Sequence, residues 1–194
     1  MLFDITTIRS IYSEDSMKYH NRTHFDSSTV GSECYGEVGY DSMENIISHF
    51  IDYFNEDTIF YDLGCGTGKI VYHVGIKYNV KKSCGIEFSK ERCFMANKIK
   101  EKYKIESNNI SIINANIVDC DISDATVIYI DNTLFPKNIN HKIYEMIPDE
   151  CLVITRAKLV PSANRSDIIK TNLLTIDAIT QYGGASLFAI IRKR

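Results

Sequence analysis

The side chains best placed to do chemistry are polar groups that directly follow short apolar runs. Asp62 ends one such run and Glu87 ends the next. Asp131 and Asn132 follow a third run further along the chain. Short apolar runs predict buried strands, and the carboxyl ends of parallel strands meet at one edge of a sheet. We therefore expect these polar groups to line a single crevice at that edge.

Three glycines, Gly64, Gly66 and Gly68, separate the first run from an amphipathic stretch, Lys69 to Tyr78. Glycines let the backbone turn sharply and approach a ligand closely, and a helix start exposes free amide groups. The pattern predicts a strand, a tight turn and a helix, with a ligand lying across the strand ends. Glu87 then ends the next parallel strand, where its two oxygens can accept both hydroxyls of a ribose.

Asp62 helps to decide between the two cofactors that use this layout. A dinucleotide site needs three glycines close to G-x-G-x-x-G, whereas this turn reads D-L-G-C-G-T-G. A carboxylate near the methionine end of a ligand also suits a cationic sulfonium. The turn therefore resembles that of class I methyltransferases, which bind S-adenosyl-L-methionine and release S-adenosyl-L-homocysteine. The alternative is a glycine-rich turn without a ligand.

The rest of the chain alternates between predicted strands and helices. We expect a helix at Ser89–Tyr103, with Phe94, Ile99 and Tyr103 facing inward. Further strands are predicted at 109–113, 125–130 and 151–155, a helix at 140–147, and a hairpin from 171 to 191 with a glycine turn. The predicted fold is α/β: a Rossmann-like class I methyltransferase with a seven-stranded, mostly parallel sheet, an antiparallel C-terminal hairpin and helices on both faces. We expect residues 1–33 to form a short helical or loop segment and residues 34–194 to form the methyltransferase domain.

A loop with aromatic residues and glycines, Tyr35–Asp41, precedes the first predicted helix of the domain. Asp41 followed by Glu44 is typical of a capping box, so we expect the helix to begin there. The loop can serve as a lid over the cofactor or as a plain helix entry, and both interpretations stay open.

Two further groups of residues follow strand ends. Asn116 and Ile117 follow the third strand, where an amide can contact the adenine amino group and an apolar side chain can cover the ring; Asp119 is the fallback. Asp131 and Asn132 end the central fourth strand, beside the reactive methyl group in a sheet of this type. The alternative is that these two residues cap the next helix.

Composition excludes several classes of protein. The chain has 194 residues, enough for one domain with its own core, and a formal net charge of -3. That charge is not typical of a general polyanion binder. Six isolated cysteines without a C-x-x-C pair favour reduced, mostly buried thiols over a metal site or disulfides. With no signal peptide and no apolar run of about 18 residues, we expect a soluble protein with no membrane partner.

Several motifs together resemble the disruptor-of-telomeric-silencing family, histone-lysine methyltransferases with the seven-strand fold instead of a SET domain. In that family a Y-G-E-x-x-[FY]-D loop precedes a D-L-G-x-G-x-G turn; here Tyr35–Asp41 reads Y-G-E-V-G-Y-D. The spacing from Asp62 to Glu87 matches as well. The family's N-N-F-x-F segment corresponds to Asp131–Phe135, D-N-T-L-F, and its late aromatic pair to Leu187-Phe188. The likeness covers roughly residues 33 to 191.

The resemblance implies roles for particular residues. The catalytic candidates are Asp131, Asn132, Tyr40, Phe135 and Phe188. The cofactor-binding candidates are Tyr35, Glu37, Val38, Asp62, Gly64, Gly66, Gly68, Lys69, Glu87, Asn116, Ile117 and Asp131, and no metal is expected. The sequence departs from the family at four positions: Val38 replaces a Thr, Asp131 the first Asn, Asn116 an Asp and Phe188 a Tyr.

The implied function is transfer of a methyl group in line to a neutral histone lysine, presented on the nucleosome. A narrow apolar channel lined by Tyr40, Phe135 and Phe188 would favour the neutral amine by desolvation, while Asp131 or Asn132 orients it. The alternatives are a nucleic-acid amino-methyltransferase or a methyltransferase of a non-histone chromatin protein. A catalytically inactive binding module is a further class.

The implied partners are the acidic surface of histones and DNA phosphates. Because the sequence shows no counterpart of the family's lysine-rich tail, docking would use local basic residues: Arg156, Lys158, Arg192, Lys193 and Arg194. The expected location is the nucleus, that of the host for a viral protein, or the cytoplasm.

Overall fold

The structure is a computed structural model, and it describes residues 6, 9, 10, 12, 37–105, 107–157, 159, 174–180 and 183–191. The described strands are β1 (Ile59–Leu63), β2 (Lys82–Glu87), β3 (Ile110–Asn114), β4 (Val127–Ile130), β5 (Leu152–Thr155), β6 (Leu174–Thr180) and β7 (Gly183–Ile191). They form one seven-stranded sheet in the order β3-β2-β1-β4-β5-β7-β6. Strands β1 to β5 pair in parallel, whereas β7 is antiparallel to β5 and to β6. The predicted fold class is confirmed.

Residues 6, 9, 10 and 12 are helical. The α-helices whose bounds the structure describes are α1 (Tyr40–His49), α2 (Lys69–Lys77), α3 (Lys90–Lys102) and α4 (Lys137–Met146). Two short 3-10 helices lie at Ile51–Tyr53 and Ile117–Asp119. The helix predicted at 140–147 begins earlier, directly after Pro136, because proline fits the start of a helix without losing a hydrogen bond.

The core lies on both faces of the sheet because neighbouring side chains of each strand point to opposite sides. On one face, α1 and α2 cover Phe60, Val127 and Ile154. On the other face, α4 covers Tyr61 and Ile128. The central strands of the sheet are therefore buried from both sides.

The start of α1 corrects one expectation. Asp41 and Glu44 do not form a capping box: Gly39 is the N-cap, and it makes no side-chain capping bond. Asp41 lies inside the first turn and pairs with Arg9 at 3.1 Å. Glu44 instead turns toward α2, where it contacts His73.

Helix α3 corrects a second expectation, concerning which side chains face the core. Phe94, predicted to face inward, is 60% exposed, and Cys93 and Ala96 occupy the buried face instead. Small side chains suit this face because they let the helix lie close to the sheet. Ser89 caps the helix by accepting a hydrogen bond from the Arg92 amide.

Two observations bear on composition. Five cysteines in the described chain are free thiols: Cys65, Cys84, Cys93, Cys120 and Cys151. None of the helices that the structure describes combines the length and the apolar character required to cross a membrane.

Candidate active site

The glycine turn leaves β1 and crosses the end of β2. Gly64 and Gly68 both have φ of +85°, a left-handed conformation that is strained for other residues. The amides of Gly64 and Cys65 donate to the Ile86 carbonyl at 2.8 and 3.2 Å. These bonds fix the turn against β2, and the Gly68 amide closes the turn by donating to the Cys65 carbonyl at 2.9 Å.

Glu87 joins this turn to the following helix. One carboxylate oxygen accepts the Gly66 amide and the other accepts the Ser89 amide, each at 2.9 Å. The side chain is nearly buried, and an Arg92 nitrogen lies 3.8 Å away. Each carboxylate oxygen can accept a second hydrogen bond. Glu87 therefore shapes the turn and retains acceptor capacity for the two hydroxyls of a ribose.

Asp62 is a buried carboxylate without a matching donor. Its side chain is 4% exposed, and it has no hydrogen bond within the described part of the chain. Burial, and then the nearby charges of Glu87, Asp131 and Glu37, raise the pKa of Asp62 well above its usual range. A cation in this position would relieve both the desolvation and the repulsion.

Several predicted cofactor residues line one pocket at this edge of the sheet: Glu37, Val38, Asp62, Gly64, Lys69 and Asp131. They come from the loop before α1, the end of β1, the start of α2 and the end of β4. The structure thus brings together residues that sequence reasoning grouped only by their positions after strands. No cluster of three metal-ligating side chains occurs among the described residues.

Lys69 connects the loop before α1 to the glycine turn. Its ammonium group lies 3.4 Å from a Glu37 carboxylate oxygen and donates to the Val38 carbonyl at 3.1 Å. Glu37 also accepts a bond of 3.3 Å from the Thr67 hydroxyl. Because Lys69 lies at the start of α2, this contact joins the loop before α1 to that helix beside the pocket. Lys69 also offsets the Glu37 charge inside an acidic site.

Tyr40 lies next to this contact and outside the pocket lining. Its ring receives the Lys69 ammonium group at 4.5 Å and lies 5.1 Å from the His73 ring. Burial, and then the charge of Glu37, raise the pKa of Tyr40 above its usual value. The ring therefore supports Lys69, and its role in lining a lysine channel stays a prediction.

Asp131 and Asn132 occupy different environments. Asp131 lines the pocket and accepts a bond of 2.8 Å from the Thr133 hydroxyl. Asn132 is 1% exposed, and its amide oxygen accepts bonds from the Thr155 hydroxyl and the Ala157 amide, both at 2.8 Å. Its amide nitrogen donates to Asn140 and to the Ala157 carbonyl. Asn132 joins the ends of β4 and β5 to α4, and Asp131 is the member of the pair that faces the site.

The two aromatic catalytic candidates lie near these strand ends. The Phe135 ring closes over the glycine turn, since a β-carbon added at Gly64 would stand 3.0 Å from it. Phe188 on β7 pairs with Thr155 at the end of β5. Neither ring lines the pocket that contains Asp62 and Asp131.

The two adenine candidates differ in accessibility. Asn116 caps the short helix that begins at Ile117 by accepting a bond of 3.4 Å from the Val118 amide. Ile117 is 7% exposed and packs in the core with Ile86 and Ile122. Most of the Ile117 side chain is therefore used in packing, while Asn116 remains half-buried at the strand end.

Three pocket residues were missed by the sequence: Cys65, Ile70 and Tyr129. Tyr129 stands in a continuous apolar run, which gives no sign that its hydroxyl faces a site. The spacing of Tyr129 could have revealed it. Residues two apart on a strand share a face, and Asp131 follows Tyr129 by two positions. Phe88, 61% exposed and directly after Glu87, is a further apolar surface at the crevice.

Tyr35, Lys158, Arg192, Lys193 and Arg194 lie outside the described residues. Arg156 is half-buried, and its backbone amide donates to the Ile130 carbonyl at 3.2 Å, so it leaves β5 close to the pocket side of the sheet.

The strand order, the glycine turn and the acidic residue ending β2 define a class I methyltransferase fold. A family model described as "Histone methylation protein DOT1" matches residues 15–184. The chain belongs to this family, which confirms the predicted resemblance and, with it, S-adenosylmethionine as the cofactor.

A curated relative supports the same family. This protein, from Saccharolobus islandicus (strain REY15A), is named protein-lysine N-methyltransferase and is 40% identical to the chain over 79 residues. The match covers 38% of this chain and 45% of that protein, so it spans less than half of the relative's length.

Solved structures agree on the fold. An RNA methyltransferase from Salinibacter ruber, in complex with S-adenosyl-L-homocysteine, has a TM-score of 0.60 at 17% identity and covers 81% of this chain and 94% of its own. Magnesium protoporphyrin IX methyltransferase from Synechocystis PCC 6803, with bound SAM, has a TM-score of 0.59 at 12% identity and covers 100% and 99%. These proteins act on unlike acceptors, so the shared fold leaves the substrate undefined.

Proposed function

We propose that the chain is an S-adenosylmethionine-dependent protein-lysine methyltransferase. The observation that carries the proposal is the buried Asp62 carboxylate, which has no hydrogen-bond donor and lies near Glu87, Asp131 and Glu37. Such a group is costly unless a cation pairs with it. The family and the name of the curated relative add the acceptor, a lysine side chain.

The residues that would hold the cofactor are those at the strand ends. Glu87 would accept the ribose hydroxyls, and Asp62 would face the positively charged methionine end. Phe88 offers an exposed ring beside Glu87, and Asn116 offers a half-buried amide. When bound, S-adenosylmethionine supplies a methyl group on a cationic sulfur atom.

The chain's task toward the acceptor is to bind a lysine and present it as a neutral amine. A lysine in water has a pKa of about 10.4 and is almost wholly protonated at neutral pH. The carboxylates that line the pocket would attract the charged form of the lysine. Burial against Phe135 and Phe188 would then favour the neutral form by desolvation. Asp131 can then accept one amine hydrogen. Asn132 would act by positioning, because its side-chain hydrogen bonds hold the ends of β4 and β5 and helix α4 together.

The finer proposal is that the acceptor is a histone lysine on the nucleosome. The family description, which names histone methylation, supports this choice. Docking would use Arg156, Lys158 and the basic segment Arg192–Arg194 against histone carboxylates and DNA phosphates. A nucleosomal substrate implies action in the nucleus, and a non-histone substrate is compatible with the cytoplasm.

The direct test is transfer of a labelled methyl group to nucleosomes, free histones, RNA and DNA in parallel, followed by identification of the labelled residue. We expect label on lysine in the protein samples. An Asp131→Ala variant should lose turnover far more than cofactor affinity, because it acts on the acceptor amine. Label confined to nucleic acid, or none on any protein, would refute the lysine activity.

Docking needs its own experiment. Replacing Arg192, Lys193 and Arg194 together should reduce activity on nucleosomes, weaken its salt dependence and leave activity on a free histone peptide unchanged. Equal losses on both substrates, or no loss on either, would argue against the basic segment as the docking surface.

A further inference from the structure

Tyr129 is a pocket residue that the cofactor contacts above do not use. It lies on the central strand β4, directly opposite Asp62 on β1 in the register of the sheet. Its side chain is 4% exposed and lines the same pocket as Asp62 and Asp131. Its hydroxyl group has no hydrogen bond within the described part of the chain. A hydroxyl group at a pocket without a protein partner can donate and accept hydrogen bonds with a ligand bound there.

The ring of Tyr129 is held in place by the core. It packs in the cluster that includes Val38, Ile70 and Leu187. Because the ring is fixed on its apolar side, the hydroxyl position is set by the sheet. Burial, followed by the charges of Asp131 and Asp62, raises the pKa of Tyr129 well above its usual value, although Arg156 opposes this shift. The phenol is therefore neutral at physiological pH, and its oxygen can accept a hydrogen bond.

An amine is the ligand chemistry that fits this hydroxyl best. The Asp131 carboxylate lines the same pocket, and a carboxylate accepts hydrogen bonds from N–H groups. A neutral primary amine has two N–H groups and one lone pair. If Tyr129 accepts one hydrogen and Asp131 the other, the lone pair is left free for the incoming methyl group.

We propose that the Tyr129 hydroxyl contacts the acceptor amine and limits how many methyl groups it receives. This inference rests on the proposed lysine methyltransferase activity. Each transfer forms a nitrogen–carbon bond, breaks the sulfur–carbon bond of the methyl donor and releases one proton from nitrogen to solvent. A monomethylated amine keeps one N–H for the hydroxyl, and a dimethylated amine keeps none. The hydroxyl also occupies space that an added methyl group would need.

The proposal predicts a change in products when only this oxygen is removed. Tyr129→Phe keeps the packed ring, and Tyr144→Phe, a buried tyrosine on the other face of the sheet, is the matched control. The ratio of trimethylated to lower products, measured by mass spectrometry, should rise roughly threefold to tenfold in Tyr129→Phe, in keeping with loss of one hydrogen bond. Calorimetry should show S-adenosylmethionine affinity close to that of the wild type in both variants.

An unchanged product ratio in Tyr129→Phe would overturn the proposal, as would a loss of cofactor affinity with no change in products. A second experiment does not depend on the variant being folded: the wild-type protein receives peptides whose target lysine already carries zero, one or two methyl groups. We expect a sharp fall in rate on the dimethylated peptide, and equal rates on all three would refute the role. A wild-type protein that labels no lysine would instead refute the underlying activity.

Discussion

The two ends of β1 and β2 handle charge in opposite ways. At the amino end, the Lys82 ammonium group contacts both Tyr61 and Asp124, and the Tyr61 hydroxyl donates to Asp124 at 2.8 Å. At the carboxyl end, Asp62 has no partner although Glu87 and other carboxylates surround it. One end has its charges paired, and the other has an excess of negative charge.

This difference indicates that the amino end of these strands contributes to stability and that the carboxyl end binds a ligand. Paired charges at the edge of a sheet contribute little to the free energy of unfolding, and they need no ligand to compensate them. An unpaired buried carboxylate opposes folding and is kept only where a ligand compensates for it. Mutations at the two ends should therefore separate effects on cofactor affinity from effects on stability.

The largest expected effect is at Glu87. Glu87→Ala removes the acceptor for the Gly66 and Ser89 amides as well as for both ribose hydroxyls. We expect S-adenosylmethionine binding to fall below detection in calorimetry, since each hydrogen bond to a charged group contributes roughly 1.5–3 kcal/mol. Chemical unfolding should also show a less stable protein. Unchanged affinity in a folded variant would remove Glu87 from the site.

Asp62→Asn should give the next largest loss of affinity and the opposite effect on stability. Loss of the charge that faces the cation should weaken S-adenosylmethionine by roughly tenfold to a hundredfold. The unliganded protein should become more stable at neutral pH, because an unpaired buried charge is gone. A variant that is less stable without ligand would contradict the comparison between the two ends.

The same residue predicts a pH dependence. The pKa of Asp62 is higher in the folded state than in the unfolded chain, so the folded state binds the proton more tightly. Its contribution therefore lowers stability as pH rises above the ordinary range of an aspartate. Thermal unfolding across pH should show this slope in the wild type and lack it in Asp62→Asn.

A third, smaller effect is expected where α1 meets α2. Glu44 contacts His73 and Lys77 on α2, and Tyr78 just beyond it donates to Glu44 at 3.1 Å. Glu44→Ala should lower the free energy of unfolding by roughly 1–3 kcal/mol because buried polar groups lose their partner. Cofactor affinity should fall only severalfold, through the loop that α1 carries. Asp41→Ala, which removes an exposed pair with Arg9, is the matched control and should change little.

His73 adds a pH test of the same contact. Burial lowers the pKa of His73 from 6.5 to about 4, although Glu44 opposes the shift. The unfolded chain therefore binds a proton more readily, and this contribution to stability is lost as pH falls from 6.5 toward about 4. In His73→Gln, thermal unfolding should lose that part of the pH dependence.

The smallest effect is expected at the amino end of the sheet. Lys82→Met should change the free energy of unfolding by roughly 0–1 kcal/mol, because the pair with Asp124 is partly exposed. Cofactor affinity and methyl transfer should be unchanged. A clear loss of affinity here would mean that the two ends are coupled, and the comparison would fail.

The sequence predicted the fold and the grouping of polar candidate residues at one edge of the sheet, because both depend on local patterns. Apolar runs gave the strands, and the positions of Asp62 and Glu87 after those runs placed them at one edge. Prediction from the sequence failed where a contact joins segments that are distant along the chain. The partners of Asn132 include Thr155 and Ala157, and no local pattern connects these positions. Tyr129 was missed because a tyrosine inside an apolar strand has the same pattern as a core residue.

Helix positions show a similar limit. Asp41 and Glu44 fit a capping pattern, yet the contacts of Glu44 with α2 depend on how two helices pack. Phe94 fits an inward position by composition, but the close approach of α3 to the sheet favours small residues on that face. In both cases tertiary packing decided between patterns that were locally equivalent.

The central place of β1 in the sheet has a consequence for folding kinetics. Asp62 lies beside Tyr129 only after β1 has paired with β4. These two strands are far apart along the chain. Parallel pairings of this kind form slowly, because a long loop must close before any contact is gained. The pocket is therefore complete only late in folding, and a ligand that needs it cannot speed the early steps. Bound S-adenosylmethionine should instead slow unfolding, so the lifetime of the native chain would vary with cofactor supply.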